Sequence, residues 1–204
     1  MASVTKILAF AGSSRVDSFN KKLVKVAAEG AREAGAEVTF IDLKEFPMPI
    51  YDGDLEAKEG IPENAQKLKK IFLEHHGLLI ASPEYNSSIS ALLKNAIDLV
   101  SRPEKGEAQL ACFDQKVAGL MSASPGLLGG LRGLVTVRSI LGNIKCTVIP
   151  EQVAVSKANE AFNENGSLKD EKQEKSVRNI GAQVAKVASK LHGTELKQLT
   201  EAQK

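Results

Sequence analysis

Thr5-Lys6-Ile7-Leu8-Ala9-Phe10-Ala11-Gly12-Ser13-Ser14-Arg15-Val16-Asp17-Ser18-Phe19-Asn20 decides how the rest of the chain is read. Ile7–Ala11 is the longest unbroken apolar run in the sequence. It is short and bounded by a glycine, as expected of a strand covered on both faces. The loop after it is rich in hydroxyls and carries an arginine. Leu23, Val26, Ala27, Gly30, Ala31 and Ala34 then recur at i, i+3 and i+4, the spacing of one helix face. A buried strand, a polar loop and an amphipathic helix make the opening unit of an α/β fold.

The alternation continues. With Thr5–Ala11, the segments Val38–Ile41, Gly77–Ala81, Val117–Met121 and Cys146–Ile149 complete five candidate strands. Pro62 suits a first helical turn, with Leu68, Ile71 and Phe72 on the buried face. Ile89, Leu92, Leu93, Ala96, Ile97 and Val100 form another stripe. Leu131, Leu134 and Val135 mark a helix after Gly129-Gly130, and Val177 through Leu191 a last one. Strands alternating with helices predict a doubly wound, five-stranded parallel sheet with helices on both faces and right-handed crossovers. At 204 residues the options are a flavodoxin-like and a mononucleotide Rossmann-like sheet. A TIM barrel needs about 250 residues. Residues 1–193 read as a single domain. Within it Ser156–Lys175 is polar, with Asn165-Gly166 as a turn signal, and reads as a surface excursion or small hairpin. Thr194–Lys204 reads as a frayed polar tail.

Composition removes whole classes of function. Lys and Arg number 27 against 25 Asp and Glu, a formal net charge of +2, so nothing in the bulk composition points to nucleic acid. No segment approaches the roughly 20 apolar residues of a membrane span, and the N-terminus lacks the pattern of a signal peptide. Two cysteines, Cys112 and Cys146, make neither a disulfide framework nor a four-thiolate site. A soluble, cytoplasmic protein is expected. The three histidines, His75, His76 and His192, give no metal cluster, and G-x-S-x-G is absent. Asp42 ends the second strand and is read as surface polar.

In an open parallel sheet, ligands sit beyond the carboxyl ends of the strands. Three loops therefore matter. The first, Gly12–Asn20, lacks both G-x-G-x-x-G and the P-loop lysine motif, which argues against a standard NAD domain and a P-loop NTPase. Its serines, Arg15, Asn20 and helix N-terminus suit a terminal phosphomonoester. The plainer alternative is that Ser18 only caps the helix. The second loop, Ser82-Pro83-Glu84-Tyr85-Asn86-Ser87-Ser88, holds one of only two tyrosines in a chain without tryptophan. A planar ring could rest on Tyr85 and meet Asn86; the alternative is a turn with Asn86 or Ser87 as helix cap. The third, Ser122-Ala123-Ser124-Pro125-Gly126-Leu127-Leu128-Gly129-Gly130, is built of small residues that permit close approach of a ligand or a subunit.

Taken in order, Gly12-Ser13-Ser14-Arg15, Ser18-Phe19-Asn20, Ser82-Pro83-Glu84-Tyr85-Asn86, Leu93-Lys94-Asn95-Ala96-Ile97-Asp98 and Ser101-Arg102-Pro103 resemble the NADPH-dependent FMN reductase family. Within it the likeness is to bacterial quinone, chromate and azo-dye reductases, over about residues 5–191. The resemblance implies a flavodoxin-like fold with one FMN per subunit. Ser13, Arg15, Ser18, Phe19 and Asn20 would lie at the phosphate, and Pro83, Glu84, Tyr85, Asn86 and Ser87 at the isoalloxazine. Ser122 and Ser124 match a third FMN loop. It implies NADPH or NADH as electron donor, a small-molecule acceptor of quinone type and a homodimer or homotetramer; the motif residues are then binding residues, and none is catalytic. Ser87 stands where relatives often carry an aromatic residue, which bears on the acceptor pocket. A non-enzymatic flavodoxin-type electron carrier is the alternative; the net charge of +2 and 4% aromatic content favour the enzyme.

Overall fold

Alternate side chains of each buried strand feed two separate cores. In the computed structural model, which describes residues 3–197, β1 (Lys6–Ala11) directs Ile7, Ala9 and Ala11 into one core and Leu8 and Phe10 into the other. The first core is closed by α1 (Phe19–Glu33) and α7 (Glu171–His192). The second is closed by α3 (Glu63–Leu73), α4 (Ala91–Val100) and α5 (Leu131–Asn143). Both faces of the sheet are thus covered, which is why its strands read as continuous apolar runs.

The sheet is completed by β2 (Glu37–Phe40), β3 (Gly77–Ala81), β6 (Val117–Ala123) and β7 (Thr147–Val155), in the order β2-β1-β3-β6-β7 with every pair parallel. Counted along the chain this is the 2-1-3-4-5 order of the flavodoxin-like fold, and its switch point lies between β1 and β3. Smaller elements fill the connections: a 3-10 turn at Leu43–Glu45, α2 (Gly53–Glu59), a hairpin of β4 (Glu84–Tyr85) and β5 (Ser88–Ile89), and α6 (Ala158–Ala161).

Four sequence expectations shift. The fifth strand does not stop at Ile149 but runs to Val155. Pro150 lies in a bulge where the register jumps from Ala118↔Val148 to Leu120↔Gln152. This is the edge strand, the place where a missing N–H is tolerated. The helix expected from Ile89 begins at Ala91 instead, because Ser90 caps it: its Oγ accepts the Leu93 N–H at 3.1 Å. Neither Asn86 nor Ser87 is the cap. Both have positive φ, 51° and 65°, as a two-residue turn between antiparallel strands requires. The polar stretch from Ser156 does fold back, with a bridge between Phe162 and Leu168, but α7 already starts at Glu171. Finally, Thr194–Lys197 is not frayed. Val4 bridges Glu195, Thr5 Oγ1 and Thr194 Oγ1 lie 2.7 Å apart, and the Lys197 N–H bonds the Gly35 carbonyl. The remainder of the expected tail lies outside the described residues.

Helices α1 and α7 cross on bare backbone. A Cβ on Gly30 would stand 2.0 Å from the Arg178 carbonyl oxygen, and one on Gly181 1.8 Å from that of Ala27. No rotamer relieves a clash with main chain, so Gly181→Ala is expected to separate the helices. A loss of about 1–3 kcal/mol, the usual range for an overfilled core, would appear as a lower urea midpoint. A midpoint within error of the parent would show that the crossing can slide.

Opposite the carboxyl edge, His75 and His76 end α3's segment and serve the fold. His75 bonds the Ile71 carbonyl at 2.6 Å and Thr39 Oγ1 at 2.8 Å; His76 Nδ1 accepts the Lys6 N–H at 2.9 Å. Burial pushes both imidazoles below the ordinary 6.5, and Lys6, Lys116 and His192 push His76 the same way. The native state therefore binds fewer protons here than the unfolded chain does, so stability is present above pH 6.5 and is lost as pH falls below it. Thermal midpoints should drop between about pH 7 and about pH 5.5, the range in which histidine titrates. His76→Asn should flatten that slope, and an unchanged slope would dismiss His76 as its source.

Candidate functional site

At the carboxyl edge, three loops converge because three side chains tie them together. Asn20, in the first turn of α1, donates from Nδ2 to the Ala123 carbonyl at 2.9 Å and accepts the Ala123 N–H on Oδ1 at 3.0 Å. Ser90 Oγ donates to the Gly12 carbonyl at 2.6 Å while it caps α4. Glu84 reaches from β4 to the start of α5. Its Oε2 accepts the N–H groups of Arg132 (3.0 Å) and Gly133 (3.1 Å), and its Oε1 accepts from the Arg132 guanidinium at 2.7 and 2.9 Å.

The result is an open cleft of about 160 Å³ bordered by the ends of β1, β3 and β6. Ser13, Arg15, Ser18, Phe19 and Asn20 line one side, Pro83, Glu84 and Tyr85 another, and Ser124 a third. Segments 38 to 112 positions apart in sequence (Tyr85 to Ala123, Ser13 to Pro125) thus share one surface. Ala123 and Pro125 complete the wall; they lie inside the small-residue loop, and only their position at a strand end could have marked them. Ser18 caps α1, its Oγ 3.4 Å from the Lys21 nitrogen, so its hydroxyl serves the helix and its backbone faces the loop. The N–H groups of Phe19 and Asn20, in the first turn of α1, have no intrahelical acceptor. Arg15 is exposed and in no ion pair among the described residues. Tyr85 is 54% exposed.

Three predicted residues do not line the cleft. Asn86 and Ser87 occupy the exposed tip of the β4–β5 hairpin. Ser122 is fully buried, and its Oγ is without a hydrogen-bond partner. It lies beneath Gly130, where φ is +91° and a Cβ would stand 1.9 Å from that oxygen; any other residue would collide.

The two thiols are far from this chemistry in character. Burial pushes Cys112 up to about 11 and Cys146 up to about 12, which keeps both protonated and inert. No three His, Cys, Asp or Glu side chains among the described residues come together as a metal would need. Asp42, expected on the surface, is half-buried and paired with Lys21 at 2.5 Å.

The donor set is that of a site for a phosphomonoester attached to a flat ring: helix amides and a guanidinium at one end, a half-exposed phenol at the other. That combination fits FMN. The sequence between residues 5 and 160 matches the family of NADPH-dependent FMN reductases.

The chain belongs to that family.

Its cofactors are accordingly FMN, with NAD(P)H as electron donor. A quinone reductase of Pseudomonas putida is 31% identical over 172 residues, 83% of this chain and 88% of that protein. An NAD(P)H:quinone oxidoreductase of Solanum tuberosum is 32% identical over 195 residues, covering 93% and 96%. Among solved structures, the flavoenzyme NAD(P)H:(acceptor) oxidoreductase FerB of Paracoccus denitrificans superposes with a TM-score of 0.77 at 28% identity, covering 93% of this chain and 99% of that one.

Glu84, expected at the flavin ring, has its side chain occupied structurally. Burial pushes its carboxyl up, but the Arg132 guanidinium and the two α5 amides outweigh this and hold it below its usual value. Its side chain is only 8% exposed. Glu84→Gln keeps the size and removes the charge. Since hydrogen bonds to charged groups contribute about 1.5–3 kcal/mol, stability should fall by roughly that amount. The same substitution in an Arg132→Ala background should cost clearly less; additive losses in the double-mutant cycle would show that the two residues act independently.

Proposed function

We propose that this protein is an FMN-dependent NAD(P)H:quinone oxidoreductase, acting in the cytoplasm, with residues 1–193 as its FMN-binding domain. The observation that carries the reading is the cleft itself: phosphate-type donors from the first loop and an exposed aromatic face from the second, brought together at the sheet's switch point. In this reading Arg15 and the amides at the start of α1 hold the FMN phosphate, with Ser13 beside them. Pro83, Glu84 and Tyr85 border the isoalloxazine, Glu84 through its main chain because its carboxylate is bound to α5. Ser124 lines the same cleft from the third loop, Asn86 and Ser87 stand at the hairpin tip beside it rather than in its wall, and Ser122 supports the loop from below. When bound, FMN would supply the redox chemistry, taking a hydride from NAD(P)H and passing two electrons to a quinone-type acceptor in alternating, ping-pong fashion.

The chain's own residues bind and orient. In this reading no side chain need act as general acid or base, because the flavin carries the chemistry. Chromate, azo dyes and free flavin are further acceptors of this reading, since an open cleft exerts little selection beyond access to the ring. Association as a homodimer or homotetramer is supported by Leu128, Leu131 and Val135, exposed apolar residues on and just before α5, with Leu127 beside them.

The test is an anaerobic absorption spectrum of FMN-reconstituted protein, titrated with NADPH and separately with NADH. Flavin bands at about 370 and about 450 nm should bleach and then return on addition of a quinone. Bound flavin that neither nucleotide bleaches would favour the flavodoxin-type carrier, and failure to retain flavin would remove the proposal.

A further inference from the structure

The polar excursion between β7 and α7 carries the only Asn-Gly step in the sequence, Asn165-Gly166, and no part of the flavin chemistry uses it. The turn is closed at its base: the Asn163 N–H bonds the Ser167 carbonyl at 2.8 Å, and Phe162 bridges Leu168. Asn165 is exposed, and Gly166 holds φ at +87°. A Cβ placed on Gly166 would meet nothing within 4 Å, so nothing shields the peptide that joins the two residues.

The Asn165 carboxamide is held in a particular way. Its Oδ1 accepts the Ser167 N–H at 3.1 Å and the Ser167 hydroxyl at 2.7 Å. Asn163 Nδ2 donates to the same Ser167 Oγ at 2.9 Å, which directs the hydroxyl's own proton towards Asn165. Two donors therefore converge on one carbonyl oxygen, at the distances found in oxyanion holes. The main-chain nitrogen of Gly166 lies one residue on, where its attack on the Asn165 side-chain carbon closes a succinimide ring. Glycine, with no Cβ, leaves that nitrogen unhindered. Its N–H bonds the Asn163 carbonyl at 3.0 Å, and this bond must open before the nitrogen can turn.

We infer that Asn165-Gly166 is a self-modification site, at which the folded turn converts its own asparagine to isoaspartate and aspartate. The Gly166 nitrogen gives its proton to water and attacks Asn165 Cγ, and the carbonyl electrons move onto Oδ1, where the two Ser167 donors meet them. As the carbonyl re-forms, the Cγ–Nδ2 bond breaks and the nitrogen leaves as ammonia, taking a proton from water. Water then opens the succinimide at either carbonyl, giving a normal or a β-linked aspartate; no oxidant or reductant enters. The new carboxylate stands in a depression lined by Lys22, Lys25, Glu164 and Glu174. The change also reaches the flavin cleft. Phe162 stacks on Phe19 with ring centroids 6.1 Å apart and an interplanar angle of 7°, and Phe19 lines the cleft. At the start of the excursion the Ala158 N–H bonds the Ser124 carbonyl at 3.1 Å. A β-linkage lengthens the main chain inside the turn that holds Phe162, so aged protein releases FMN faster. This consequence rests on the flavin-reductase reading; the modification itself does not.

The experiment ages the full chain at mildly alkaline pH, in buffer and separately in urea. Isoaspartate is measured by enzymatic methyl transfer to its carboxylate and located by peptide mapping. The folded parent should accumulate it at residue 165. Ser167→Ala should slow that accumulation about tenfold, the order of one hydrogen bond to a developing charge, whereas in urea the two chains should react alike. No product at residue 165 in the folded protein, product at the Asp52-Gly53 step alone, or equal folded-state rates for the parent and Ser167→Ala overturns the proposal. A deficit of Ser167→Ala that persists undiminished in urea overturns it as well, because the effect then belongs to the local sequence and not to the turn. The second arm follows FMN release by the recovery of flavin fluorescence. Aged parent should release FMN faster than fresh parent, and Asn165→Gln, which does not close the ring, should release it equally before and after ageing. Equal release from fresh and aged parent overturns the link to the cleft. Should the protein retain no flavin at all, the flavin-reductase reading fails while the isoaspartate assay still decides the site.

Discussion

Two hydrogen bonds between one side chain and one residue of main chain govern the geometry of this protein's working edge. Asn20 offers Ala123 a donor and an acceptor spaced as another strand would space them, and so extends the sheet's ladder beyond its last regular pair. Asn20 is buried and both ends of its amide are used, the condition under which a buried polar contact adds rigidity rather than cost. The consequence reaches past α1. With the helix start fixed to the end of β6, the loop between β1 and α1 has both its ends anchored. Ser90 then anchors Gly12 to α4, and Glu84 anchors the hairpin to α5. Three loops that could each move freely become one surface. Pre-positioned donors lose little entropy when a ligand arrives, so affinity depends on the groups themselves.

This arrangement leaves its unsettled groups in particular places. Asn86 and Ser87 hold positive φ at the hairpin tip, a conformation that glycine would adopt at less cost. The buried Ser122 hydroxyl lacks a partner directly below the glycine that starts α5. Both features adjoin the cleft, whereas at the opposite edge His75 has both ring nitrogens bonded and His76 accepts the Lys6 N–H on Nδ1. Strain and unsatisfied polarity concentrate where a surrounding framework fixes them, and here the framework is the set of clamps just described.

The fold was legible because burial on two faces writes continuous apolar runs, and β1, β3 and β6 are the strands most completely enclosed. β7 was legible only in part. As an edge strand it is mostly exposed or half-buried, with only Ile149 and Val155 fully covered, and Pro150 and Glu151 at its bulge look like the end of a strand. The β4–β5 hairpin was not legible, since two-residue strands carry no period to detect. At the cleft, residue types announced a phosphate-binding loop, but their division of labour did not. Asn20 and Glu84 are polar residues in the expected places whose side chains are committed to Ala123 and to α5. Those partners lie 103 and 48 positions away, distances at which sequence periodicity holds no information.

Charge gives the same lesson in another form. A net charge of +2 from 27 cations and 25 anions describes a chain with no electrostatic preference. Folding sorts those charges. Lys21 meets Asp42, Arg132 meets Glu84, Lys69 meets Glu107 and Arg178 meets Glu33, each pair cancelling locally. What remains after cancellation is set by local geometry: Lys22 and Lys25, three residues apart on α1, share one side of that helix, and with Lys44 in the 3-10 turn after β2 they line one surface depression. A field acts on a ligand through the charges left uncancelled in a low-dielectric cleft, not through the sum over the chain. Arg15 and these three lysines therefore give the β1–β2 side of the edge a positive potential that an average over composition conceals, and an anionic ligand approaching the sheet would be drawn to that side first.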